Sequence, residues 1–105
     1  MTDVPYMQKT IVRFSVQAHS GLYTFKAPSW WQPVGLTMSD DANPLMSIYA
    51  EVEVLNSRPD TERTIVIYQT EEMQDQHHDE IFIGMIKHPY AGQLFVYERG
   101  SSHGT

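Results

Sequence analysis

Apolar residues in this chain recur at every second position, in short runs separated by turn residues. The clearest run covers residues 45–55, LMSIYAEVEVL. It places Met46, Ile48, Ala50, Val52 and Val54 on one side and Ser47, Tyr49, Glu51 and Glu53 on the other. That alternation predicts a strand with one face on a core and one toward water. A helix would bring Met46, Tyr49, Ala50 and Glu53 together and mix charge into the apolar stripe, so the helical reading loses. The flanking stretches, Asp40-Asp41-Ala42-Asn43-Pro44 and Asn56-Ser57-Arg58-Pro59-Asp60, are turn chemistry. A strand this long is the natural central strand of its sheet.

The same period extends both ways. Residues 10–16 set Val12, Phe14 and Val16 against Ile11, Arg13 and Ser15, and residues 22–27 alternate Tyr23 and Phe25 with Thr24 and Lys26. With Gly21 in the turn between them, these two runs predict a first hairpin. The Pro28-Ser29-Trp30-Trp31-Gln32-Pro33 stretch interrupts, because its prolines keep it out of a sheet interior. Val34, Leu36 and Met38 resume the alternation and should pair with the central strand as a second hairpin. Residues 63–70 (RTIVIYQT) are β-branched or aromatic on both faces, which suits a strand covered on both sides or one closing a barrel. Residues 71–80 are the most polar stretch and predict one or two helical turns or an ordered loop, with Thr70 as a possible N-cap. Residues 81–86 and 93–98 form a last hairpin across the turn at 87–92.

No connection is long enough for a crossover helix, so pairing should be antiparallel. The expected fold is mainly β: about seven antiparallel strands in a small barrel or sandwich, with at most one short helix near 71–79. One domain is expected over residues 1–105, with 1–9 as a loose lead-in and 99–105 as a mobile polar tail.

Composition narrows the class. A chain of 105 residues with 41% hydrophobic content supports one modest core. The absence of cysteine excludes a disulfide framework and a thiolate zinc site. No basic start followed by an apolar run is present, and no apolar run approaches the ~20 residues of a membrane span. A soluble, cytoplasmic protein is the expectation. Thirteen acidic and seven basic residues give a net charge of −6, spread along the chain. Without a basic footprint, direct binding to nucleic acid is not expected. A solubilising acidic surface is the plain reading, and imitation of DNA toward a basic partner the sharper one.

Candidate chemistry is sparse. Asp75, His77, His78, Asp79 and Glu80 form the one cluster of metal-capable side chains. Adjacent histidines point to opposite faces of a strand, or about 100° apart on a helix, so they do not readily share an ion. A solvated loop is the better account, and neither metal nor cofactor is expected. Trp30 and Trp31, in a proline-bounded loop, are either plugs in the core or exposed anchors for a partner. Pro89 and Tyr90 would extend such a patch if the two loops share an end of the fold. Arg13 and Arg63 stand among acidic neighbours such as Glu51 and Glu53, which suggests cross-strand ion pairs, with anion capture as the alternative. The methionines read as core filler. Nucleophile elbow, P-loop, dinucleotide fingerprint and His-Glu-x-x-His patterns are all missing, so catalysis is not expected.

Several short motifs together resemble a family of short phage-encoded proteins of unknown function. They are Val12-Arg13-Phe14, Ala27-Pro28 leading to Val34 and Leu36, Ile48-Tyr49-Ala50-Glu51-Val52, Arg63 with Ile65-Val66-Ile67, Ile83-Gly84-Met85-Ile86, and Phe95-Val96-Tyr97-Glu98. The resemblance spans roughly residues 10–98. It departs from the family where Gln69-Thr70-Glu71-Glu72 replaces a Gly-Thr-Gly and where Phe95 or Val96 replaces a histidine. An activity carried by those positions would be absent here. The resemblance implies a mostly β phage accessory protein and no reaction.

The resulting expectation is a non-enzymatic phage protein that binds a host or phage protein, inhibiting a host or defence macromolecule in host takeover or anti-defence. Its candidate binding residues are Trp30, Trp31, Pro89, Tyr90, Arg13 and Arg63. One alternative is a protein sequestering a small molecule or nucleotide signal, with Tyr23, Tyr68, Arg13 and Arg63 around it. Another is a minor structural or assembly protein of the virion. Open sheet edges make a homo-oligomer the expected state.

Overall fold

The computed structural model describes residues 8–55, 58–69 and 79–100, which form seven strands in two antiparallel sheets. The strands are β1 (Lys9–Gln17), β2 (Gly21–Ala27), β3 (Trp31–Met38), β4 (Leu45–Glu53), β5 (Thr61–Gln69), β6 (Glu80–His88) and β7 (Gly92–Arg99). One sheet has the order β1-β4-β3 and the other β2-β5-β7-β6. The sheets stack as a sandwich and do not close into a barrel. Apart from Asp79, the stretch read as a short helix, with His77 and His78, lies outside the described residues, as do residues 1–7 of the lead-in and 101–105 of the tail. Lys9, by contrast, opens β1, and Arg99, expected in the tail, ends β7.

β4 is the central strand of its sheet, as its alternation required. Met46, Ile48, Ala50 and Val52 are buried, while Ser47, Tyr49, Glu51 and Glu53 face outward. The strand ends at Glu53, and Val54, expected on the inner face, is exposed beyond it. Val12, Phe14 and Val16 of β1 and Leu36 and Met38 of β3 join this core from the same sheet. Ile65 and Ile67 of β5 and Leu94 and Val96 of β7 meet it from the other. β5 buries Ile65 and Ile67 in the core and Val66 on its outer face between Leu22 and Tyr97. Thr64 and Tyr68 on that outer face are half-buried, so the strand is not covered on both sides along its length.

The second and last hairpins form as the pattern predicted, β3 with β4 and β6 with β7. The first does not. β1 pairs with β4 and β2 with β5, so the turn at 18–20 carries the chain from one sheet to the other. Buried Ala18 marks the crossing, its N–H donating to the Pro44 carbonyl at 3.2 Å. Phe14 and Phe25 stack at 5.2 Å between centroids, so side chains link these neighbouring strands. β3 also starts earlier than expected, at Trp31, with Pro33 inside it. Proline is tolerated there because β3 is an edge strand and its register shifts between Pro33 and Gly35.

On one side the sandwich is drawn together by β3 packing against β6. A Cβ on Gly84 would lie 3.0 Å from Leu36 Cδ1, so the glycine lets the two edges approach. The strand registers define two ends. The starts of β1, β3, β5 and β6 lie at one; the turns at 18–20, 39–44 and 89–91 gather at the other.

Candidate functional site

The end holding the tryptophans is closed. Trp31 is buried against Phe14 and Phe25, with edge-on ring contacts at 5.4 and 5.7 Å. Its indole N–H donates to Glu98 Oε1 at 2.9 Å, and Arg63 Nη1 donates to Glu98 Oε2 at 2.9 Å. The same guanidinium sits 5.2 Å from the Trp31 ring centroid, and its Nη2 donates to the carbonyls of Ser29 at 2.6 Å and Pro28 at 3.2 Å. Among the described residues, Arg63 Nε is a buried side-chain nitrogen without a hydrogen-bond partner. Trp31 is therefore a core plug whose polar atom is satisfied, and Arg63 is a brace for the 28–29 loop. Trp30 is half-buried beneath Lys9, whose Nζ lies 5.3 Å from the ring centroid.

The opposite end is open. Here the β1–β2 turn, the β3–β4 loop and β6 border a cavity of about 310 Å³ whose polar lining is Gln17, His19, Asn43 and His88. Its apolar lining includes Pro44 and Leu45. His88 is buried, and its Nδ1 accepts the N–H of Tyr90 at 2.9 Å and of Ala91 at 3.0 Å. Two donors aimed at Nδ1 assign the proton to Nε2. They also pin the 89–91 turn, which closes on Gly92 at φ 83, a left-handed conformation suited to glycine. His19 Nε2 lies 2.8 Å from Gln17 Oε1, and its Nδ1 lies 2.8 Å from the Tyr23 hydroxyl. Tyr23 in turn donates to the His19 carbonyl at 2.6 Å. Burial raises the Tyr23 pKa, against the smaller opposing effect of that bond. A second depression, of about 250 Å³ between Asp40 and Lys87, flanks the same loops, and Tyr90 projects beside them at 71% exposure.

A third cluster lies on the outer face of the four-stranded sheet. The Glu80 carboxylate, with 0% of its side chain exposed, accepts Arg99 Nη2 at 2.7 Å and Arg99 Nε at 3.1 Å. The Tyr68 hydroxyl donates to both Glu80 oxygens at 2.8 Å. Burial, then the bond to Glu80 and its charge, raises the Tyr68 pKa. The bond to Glu80 is also the main cause of a raised Arg99 pKa. This cluster spends its charges internally.

The six residues singled out from the sequence do not converge. Trp30, Trp31 and Arg63 lie at the closed end, Pro89 and Tyr90 at the open end, and Arg13 on the outer face of β1 opposite Tyr49. The two loops do not share an end, so a single patch of Trp30, Trp31, Pro89 and Tyr90 is corrected to two separate regions. Arg13 helps lower the pKa of the Tyr49 hydroxyl, behind the larger effect of a bond with Thr37. The proposed nucleotide set is likewise dispersed. Tyr23 faces inward near His19, Tyr68 faces outward near Glu80, and the two arginines belong to different sheets. Among the described residues no group of three or more metal-capable side chains comes together. Gln17, His19, Asn43 and His88 were not among the sequence candidates: each sits at or beside a turn, and only the strand pairing unites them.

Comparison with family models, curated proteins and solved structures finds no match to this chain.

Proposed function

We propose that this chain is a non-enzymatic binding protein that engages a protein partner through its open end. The observation carrying this reading is the concentration of unspent binding features there. Three connections border two depressions, and Tyr90, a large amphipathic side chain, stands exposed beside them. Loops held by a rigid sheet framework are the usual carriers of recognition, and tyrosine is a frequent interface anchor. Trp31 and Arg63, by contrast, both donate to Glu98 inside the protein, and Trp30 is half-buried beneath Lys9.

The identity of the partner as a host or phage protein, inhibited during infection in the host cytoplasm, is supported by the motif resemblance alone. Among the described residues no helix is long and apolar enough to cross a membrane. Self-association has its own support in β1 and β2, edge strands whose pairing is unbroken by proline or bulge.

The test uses three immobilised baits in lysate of the producing cells: wild type, Tyr90→Ala and Trp30→Ala. A protein retained by wild type and Trp30→Ala, and released from Tyr90→Ala, supports the open-end reading. Retention lost only with Trp30→Ala would move the interface to the other end.

A further inference from the structure

We propose that the open-end cavity binds a small, uncharged planar heterocycle of nucleobase type. The inference does not rest on the partner reading, since it concerns a free small molecule binding to the isolated protein.

Size, charge and donor geometry carry it. A cavity of about 310 Å³ lies at the small end of ligand sites and suits one ring system better than an extended molecule. Among the described residues its polar lining consists of two carboxamides and two imidazoles, with no carboxylate, ammonium or guanidinium. Asn43 brings a donor and an acceptor on one flat group, the complement of a heterocycle edge that alternates the two, and Gln17, its Oε1 held by His19 Nε2, adds an amide donor. Because Nδ1 of His88 is held by Tyr90 and Ala91, the ring keeps Nε2–H as a fixed donor. His19 is oriented by Gln17 and Tyr23, so this wall is set before a ligand arrives. Pro44 and Leu45 supply an apolar surface for a ring face. Phosphate is disfavoured: exposed Asp40 and Asp41 stand on the loop that supplies Asn43, and the chain carries a net charge of −6.

The experiment titrates isotope-labelled protein with adenosine, guanosine, cytidine and uridine, and separately with their 5′-monophosphates, following amide and imidazole resonances. The expected result is saturable movement of Ala18, Leu45 and His88 with at least one nucleoside, and no tighter binding of its monophosphate. Asn43→Ala should weaken that binding by about fivefold, the usual weight of one hydrogen bond, with the rest of the spectrum unchanged. Gln17→Ala provides the same reading from the other wall. Static cavity resonances at millimolar nucleoside, equal affinity in both variants, or preference for the monophosphate would each overturn the proposal. None of these outcomes would bear on capture through Tyr90.

Discussion

The two ends of the sandwich use similar residue types in opposite ways. At the closed end, Trp31, Arg63 and Glu98 consume each other's hydrogen-bonding and cation–π capacity, and Phe14 and Phe25 fill the remaining space. At the open end, His88 spends Nδ1 on its own turn, while Tyr90, two residues later, projects into solvent beside a cavity. An aromatic or charged side chain in a loop is thus no guide to function until its partners are known. On the proposed reading stability resides at the first end and recognition at the second: the first end should resist substitution poorly, the second should tolerate it and lose binding.

The comparison breaks most visibly at Trp31. Trp31→Ala should cost about 3–5 kcal/mol, read as a lower midpoint in urea unfolding, because it empties a core site and strands Glu98 Oε1. Glu98→Ala should cost about 3 kcal/mol, since it leaves the largely buried Arg63 guanidinium without its counter-charge. At the open end, Gly92→Ala should cost about 1 kcal/mol, from placing alanine at φ 83. Tyr90→Ala should change stability by less than about 0.5 kcal/mol while abolishing partner capture, which sharpens the contrast.

Alkaline pH tests the open end, through Tyr23, and the outer-face cluster, through Tyr68, with the same sign. The folded-state pKa values of Tyr23 and Tyr68 are raised above the ordinary 10.0. Their contribution to stability is therefore fully present below pH 10 and is lost as pH rises through the raised values. Unfolding midpoints measured across that window should fall less steeply in Tyr68→Phe than in wild type. Tyr23→Phe should show the same flattening at the open end.

The strands were legible because burial on one face of a sheet leaves a period of two, and β4 and β7 show it plainly. Pairing was less legible. Val12-to-Val16, a glycine turn and Tyr23–Phe25 make a local hairpin pattern, yet β1 and β2 belong to different sheets. What separates them is non-local: β4 and β5 offer each strand a partner, and Ala18 turns the chain between layers. Pro33 hid the first residues of β3 because nothing in the sequence announces an edge strand with a bulge. The candidate site was the least legible. His19 and His88 each read as ordinary turn residues, and the cavity exists only because antiparallel pairing brings the β1–β2 turn and the end of β6 to one end.

The most direct measurement is hydroxyl-radical footprinting of the protein in lysate of its producing cells against the purified protein. The account predicts protection of Tyr90 and His19 in the lysate, with Trp30 reacting equally in both. Protection of Trp30 with Tyr90 and His19 unchanged would contradict it and assign recognition to the closed end.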